Sequence, residues 1–400
     1  MGILRTLART MGRISTFRSY QFVVLLAAAL AVVAFYYFGT ERQNFSSTTK
    51  RIKETQANHN SNRNDADLTV DTTFTASPDS KHAGVEQNED GVNTQAEDGE
   101  GVLASHFHAL MMFTKVDKSR SLQDKFKVAM LSMMMHADFL DDEVLVLHFV
   151  SDPGSQKLGE KILQEFLKDA TFKYEVLFHD ELALTHKLFP IVEAMQKHFS
   201  AGSGAYYSDA IFFLSVAMHL IMPENITRIV QLDLDLKYKT NIRDLFLEFQ
   251  HFPPEAVIGI TREMQPVYRH TFWQFRKENP QTKVGEPPPN GLPGVNSGVM
   301  LLDLGAMRNS VLYNQLLQPN NVAKLAEQYR FRGHLGDQDF FSMIGMEHPQ
   351  LFYPLACGWN RQLCTWWRDH GYTDVFHMYY HCEGPVYIYH GNCNTPIPND

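Results

Sequence analysis

Two aspartates, Asp233 and Asp235, stand one residue apart directly after the apolar run Ile229-Val230-Gln231-Leu232. Along an extended backbone, positions i and i+2 point to the same side. A strand ending there presents two carboxylates together at the rim of its sheet, where open α/β sheets place their ligands. Hard oxygen donors of this kind suit a divalent manganese or magnesium ion carrying a diphosphate. The pattern is cheap, because Asp65-Ala66-Asp67 repeats it by chance inside a polar, turn-rich segment. A third copy, Asp337-Gln338-Asp339, follows Gly333 and Gly336 and precedes an apolar, helix-like run. A metal site needs a third ligand. Of the eighteen histidines, His390 is the best placed, since it ends the strand-like Val386-Tyr387-Ile388-Tyr389 and precedes Gly391.

The elements that must position these residues alternate in type. Apolar runs at His108–Phe113, Glu143–Val150, Tyr174–Phe178 and Val257–Ile260 read as strands, with amphipathic helices at about 122–136 and 155–167. Strands alternating with helices of that length predict an α/β fold whose mainly parallel sheet is flanked by crossover helices. Tyr206-Tyr207-Ser208-Asp209 opens a long apolar helix running to about Met222, where Pro223 breaks it. Residues 278–294 form a proline- and glycine-rich loop, of a length that is usually functional in a compact domain. It ends in Asn296-Ser297-Gly298, a small polar cluster leading into an apolar strand, which lets a ligand approach the backbone closely.

The first hundred residues are organised differently. Phe22 to Phe38 is an unbroken apolar or small-residue run, and Arg5, Arg9, Arg13 and Arg18 precede it without an acid. Residues 20–39 are therefore expected to be a type II transmembrane anchor, with 1–19 cytoplasmic. A cleaved signal peptide is the rival reading, but the aromatic end of the run resembles an interfacial belt. Residues 40–103 hold twelve acids against six Lys and Arg and few large apolar residues. Such a segment is expected to be a flexible lumenal stalk. Residues 104–400 are then expected to form one globular domain. Sequons at Asn44-Phe45-Ser46 and Asn225-Ile226-Thr227 suit a lumenal location. All four cysteines, Cys357, Cys364, Cys382 and Cys393, fall near the C-terminus, and in an oxidising lumen they read as two disulfides. Three pairings exist; Cys357 with Cys382 and Cys364 with Cys393 is the one expected. No Cys-x-x-Cys spacing supports zinc. A net charge of −9 and the lack of a basic tract exclude nucleic acid as the partner.

The four blocks Asp233-Leu234-Asp235, Asn296-Ser297-Gly298-Val299, Gly336-Asp337-Gln338-Asp339 and Tyr389-His390-Gly391 together resemble glycosyltransferase family 8, the glycogenin-like retaining enzymes. The resemblance covers about His106 to Asn394. It implies a GT-A fold with a Rossmann-like sheet, and Mn²⁺ (or Mg²⁺) held by Asp233, Asp235 and His390 on a UDP-sugar. It also implies that Phe113, Thr114, Ser208, Asp209, Leu234, Asn296, Ser297, Gly298, Gly391 and Asn392 line the nucleotide-sugar. Gln338, Asp337 and Asp339 would lie at the reacting carbon, and Trp359, Asn360 and Trp273 on the acceptor side. Many members carry a lysine soon after the His-Gly pair. Here Asn392, Cys393 and Asn394 follow, which leaves the residue facing the diphosphate unassigned.

Within the family the chain is most similar to anchored members of the endoplasmic reticulum, with the Golgi as the alternative location. Those members add xylose from UDP-xylose, in α1,3 linkage, to a xylosyl-glucose on EGF-like domains. Transfer from UDP-glucose or UDP-galactose is the alternative within the family, and a homodimer is compatible with the resemblance. Retention can proceed through a carboxylate nucleophile, for which Asp337 and Asp339 are the motif candidates. It can also proceed by attack from the departing face, with the Gln338 amide oxygen stabilising an oxocarbenium ion; same-face attack is the expectation. Two other classes compete. A haloacid-dehalogenase-type phosphatase expects Thr or Val where Lys237 stands. A silent module that merely binds EGF-like domains has no use for a full metal set.

Overall fold

The computed structural model describes residues 73–76 (backbone only), 105–200, 209–331 and 333–399. The expected anchor, most of the stalk, and Ser208 lie outside these residues. Among the described residues no helix is long and apolar enough to cross a membrane.

An eight-stranded sheet organises the chain in the order β1-β4-β3-β2-β5-β8-β7-β9. Its strands are β1 (Thr73–Ala76), β2 (Ser105–Phe113), β3 (Glu143–Ser151), β4 (Lys173–Asp180), β5 (Arg228–Leu232), β7 (Ile258–Arg262), β8 (Val295–Asp303) and β9 (Phe352–Pro354). Every residue of β3 is buried, as a strand covered on both faces requires. Side chains along β2 alternate: Ala109, Met111 and Phe113 enter one core, and Leu110 enters the other. The first core packs under helix α1 (Arg120–His136) and helix α2 (Pro153–Leu167). Both helices start where the local chemistry satisfies their free N–H groups. Ser119 accepts from the Leu122 amide, and Asp152 accepts from the Gly154 and Ser155 amides ahead of Pro153. The second core lies under helix α3 (Phe189–Phe199), residues 210–222 and helix α4 (Asp337–Glu347).

Two expectations are corrected here and one is refined. The mainly parallel sheet is mixed: β2, β3, β4 and β5 pair in parallel, as do β7 and β9, but β8 runs antiparallel to both β5 and β7. A buried strand reads as an apolar run in either direction, so periodicity carries no polarity. Within the segment read as a stalk, Thr73–Ala76 pairs antiparallel with β4 as an edge strand. The long helix expected to end near Met222 is two short 3-10 turns, Ala210–Phe213 and Ser215–Leu220, and Ala217 is non-helical inside the second. That segment is buried on nearly every side, so no amphipathic stripe selects a single helix.

A second, three-stranded sheet carries the decisive long-range pairing. Strand β6 (Leu236–Tyr238) pairs antiparallel with β11 (Ile388–His390), which pairs in parallel with β10 (Arg361–Gln362). In that register His390 lies opposite Leu236, one residue beyond Asp235. The disulfides Cys357–Cys382 and Cys364–Cys393 tie the same C-terminal region, in the expected one of the three possible pairings.

Candidate active site

Asp233 and Asp235 occupy the short link between β5 and β6, where the chain leaves the large sheet for the small one. The Asp233 amide donates to the Gly298 carbonyl at 2.9 Å, and the Gly391 amide donates to the Asp235 carbonyl at 2.8 Å. Nε2 of His390 lies 3.4 Å from an Asp233 oxygen and 3.3 Å from an Asp235 oxygen. One ligand atom from each of the three residues falls within a 4.8 Å cluster, the group among the described residues that could hold a metal ion. Two carboxylates and an imidazole suit a hard or borderline divalent cation. Nδ1 of His390 is 2.9 Å from the Asn360 oxygen, so Nδ1–H donates there and Nε2 faces the aspartates.

The charges of the cluster explain each other. Burial opposes ionisation of Asp235, yet His390 and then Lys125 outweigh it and hold its carboxyl well below the usual range. Burial likewise opposes a charge on His390, but Asp235 and Asp233 raise it above its ordinary value. Lys125 of α1 places Nζ 3.2 Å from an Asp235 oxygen and 3.3 Å from the Gly391 carbonyl. It was not visible in the sequence, because one lysine on an amphipathic helix resembles any other.

The second motif packs beside the first. Gly336 adopts φ 70°, ψ −131°, a conformation that glycine alone takes readily, and starts α4 with Asp337, Gln338 and Asp339 in its first turn. Asp337 accepts from the Ser297 hydroxyl at 3.1 Å and from the Ser215 hydroxyl. Asp339 accepts from the Tyr268 hydroxyl at 3.0 Å and the Leu335 amide at 2.8 Å. The oxygen of Gln338 accepts from the Ser297 amide at 3.3 Å, and its nitrogen donates to Glu263 at 3.3 Å. Burial pushes Glu263, Asp337 and Asp339 up to about 7. Glu263 and Tyr268 also escaped the sequence reading. An acid one residue past the end of a buried strand was the available signal for Glu263.

Several expected contact residues have other work. Phe113 is fully buried against Phe126 and Phe149, so its ring belongs to the core; its neighbour Thr114 is half-buried. Asp209 pairs with Lys115. Leu234 is buried between the aspartates. Asn392 accepts from the Leu363 and Cys364 amides, which ties down the chain beside the second disulfide. Trp359 is no open platform: it is buried, lies on Tyr387 with centroids 4.4 Å apart, and donates to Glu248 at 3.0 Å. Asn360 is wholly buried on His390 and Asn296. Of the acceptor-side residues, Trp273 alone is well exposed. Aromatics beside a site more often fill its wall than face its ligand.

A mixed sheet flanked by helices, with an Asp-Asp-His cluster at its strand ends, defines a glycosyltransferase of GT-A-like fold. No family model matches the chain. It is 59% identical to xyloside xylosyltransferase 1 of Mus musculus over 404 residues, covering the full length of both proteins. The identity to the Homo sapiens protein of that name is also 59%, again over both full lengths. The crystal structure of the mouse protein in its apo form superposes with a TM-score of 0.69 and 65% identity, over 73% of this chain and 99% of that one. The chain belongs to the xyloside xylosyltransferase family.

Proposed function

We propose that the protein transfers xylose from UDP-xylose to a xyloside acceptor, with retention, as a member of glycosyltransferase family 8. The observation that carries this reading is the convergence of Asp233, Asp235 and His390 in a chain of that family. Asp233, Asp235 and His390 would hold Mn²⁺. The ion supplies Lewis-acid neutralisation of the charge that develops on the departing diphosphate.

The chain's own residues favour attack from the departing face. Both oxygens of Asp337 and both of Asp339 already accept hydrogen bonds from the protein, and burial raises both carboxyls. Each of these oxygens is thus engaged by a protein donor that covalent attack would have to displace. Gln338 keeps its amide oxygen on the Ser297 side, where it can face positive charge building on the sugar. In this reading the phosphate oxygen that leaves takes the acceptor's proton. Ser297 and the Gly298 backbone line the donor sugar.

The disulfides support an oxidising lumen, the layout of residues 1–103 supports a type II anchor, and the acceptor is a xylosyl-glucose on EGF-like domains of the secretory pathway. The test is a donor and acceptor screen. Full-length protein in detergent with Mn²⁺ should hydrolyse UDP-xylose faster than UDP-glucose or UDP-galactose, and should extend a xylosyl-glucoside with an α linkage. Preference for a hexose donor, or a β-linked product, would overturn the reading.

A further inference from the structure

Glu263 follows β7 and is 3% exposed. One carboxylate oxygen, Oε2, accepts from Asn296 Nδ2 at 3.0 Å and from Gln338 Nε2 at 3.3 Å. The other, Oε1, is buried and meets no donor among the described residues. Two branches leave this carboxyl. On one, the nitrogen of Gln338 is turned toward Glu263 and its oxygen toward Ser297. On the other, the Asn296 oxygen accepts from Asn360 Nδ2 at 2.8 Å, and the Asn360 oxygen accepts from His390 Nδ1 at 2.9 Å.

Every amide in both branches has its nitrogen pointing toward Glu263 and its oxygen pointing away. An amide is symmetric in shape but not in hydrogen bonding, so its partners choose its direction; the Ser297 and Gly298 backbone amides, which donate to the Gln338 and Asn296 oxygens, agree with the direction that Glu263 imposes. Oε2 accepts both bonds, so only N–H groups face it. We infer that Glu263 is the positioning residue that sets this polarity. It orients the Gln338 oxygen toward the reacting sugar and, through Asn296 and Asn360, fixes the His390 tautomer that leaves Nε2 free for a cation. One buried carboxylate thus aligns the sugar-facing and metal-facing halves of the site.

A glutamine at position 263 has the same shape but can also donate. Where its amide nitrogen takes the place of Oε2, Asn296 and then Asn360 turn over, and Asn360 offers N–H to His390 Nδ1. The imidazole must move its proton to Nε2, where it can no longer ligate. An aspartate at 263 keeps the acceptor-only character and serves as the control.

This inference rests on the reading of Gln338 and the metal cluster given above. The experiment compares full-length wild type, Glu263→Gln, Glu263→Asp and Gln338→Ala in detergent, with UDP-xylose and Mn²⁺. Glu263→Gln should raise the half-saturating Mn²⁺ concentration by about tenfold or more, in the range of lost partners to a metal ligand. At saturating Mn²⁺ its kcat should fall by about tenfold or more while KM for UDP-xylose changes little, as for an interaction made in the transition state. Its metal-free melting temperature should match wild type. Glu263→Asp should retain more Mn²⁺ affinity than Glu263→Gln. If Glu263→Gln leaves both constants unchanged, or moves only one, the inference fails. If Glu263→Asp is as impaired as Glu263→Gln, loss of packing is the cause and the inference also fails. A wild-type kcat in Gln338→Ala would instead sink the role given to Gln338 in the proposed function.

Discussion

The backbone of Gly298 lies directly against the imidazole of His390. A β-carbon added at Gly298 would come within 2.3 Å of Cε1 and 2.6 Å of Nδ1, closer than any real contact. The ring is buried and held by Asn360, so it cannot swing aside without leaving that bond. Gly298→Ala should therefore cost about 1–3 kcal/mol in stability, as overpacking does. Its Mn²⁺ affinity should fall by about tenfold or more. Calorimetric Mn²⁺ titration beside thermal melts measures both, and wild-type affinity in the variant would remove His390 from the ligand set.

Asn360 is the acceptor behind the same ring. Asn360→Ala should weaken Mn²⁺ binding by about 10–100-fold, the range seen when a partner to a metal ligand is removed. Binding of UDP without metal should change less. Equal losses in both would mean that Asn360 supports the whole pocket and not the histidine.

Asp337→Asn tests the stereochemical route. If Asp337 is a structural acceptor for Ser215 and Ser297, the isosteric amide should slow turnover without abolishing it. Incubating wild type with a 2-fluoro analogue of UDP-xylose should give no covalent sugar adduct by mass spectrometry. A stable adduct on Asp337 or Asp339 would establish double displacement.

Three histidines on neighbouring strands predict an acid sensitivity. Nδ1 of His108 meets Nε2 of His148 at 2.9 Å, and Nδ1 of His148 meets Nε2 of His179 at 2.9 Å. Burial holds His108 and His179 down at about 4 and His148 well below 6.5. The unfolded chain then binds more protons than the native one between about pH 6.5 and 4, so this row lowers stability as pH falls through that window. Glu263, Asp337 and Asp339 are raised to about 7 and act with the opposite sign over an overlapping range. The difference between wild type and His148→Asn isolates the row. The variant should lose less stability from pH 7 to 4.5, and parallel melting profiles would refute the assignment.

Asn225 is exposed in a turn that leads into β5, so its sequon is open to modification if the domain is lumenal. Asn225→Gln should remove one glycosidase-sensitive step in gel mobility from protein made in a secretory host. An unchanged pattern, with Asn225 unmodified, would argue against the lumenal placement.

Much of the site was legible because strand ends have a local signature. Asp233 and Asp235 follow a β-branched run, and His390 closes another, so both read as ligands on period-two geometry and position alone. The Asp337-Gln338-Asp339 turn was likewise visible through the glycines before it. Glu263 and Lys125 were not, since a single acid after a strand or lysine on a helix has no distinguishing neighbours. The family pattern places Trp359 and Asn360 on the acceptor side, and their burial has no signature in the sequence. The helix expected at 206–222 failed for a related reason: an apolar run that is buried all round has no periodic stripe to follow.

Which side chains could chelate a cation is legible from the chain alone, and strand and turn chemistry places each at the end of an element. Tertiary structure decided their meeting. The register of β6 against β11 sets His390 opposite Leu236, and no local propensity encodes a pairing between segments so far apart. The direction of each buried amide was decided there as well, because it depends on a carboxylate that only folding brings within reach.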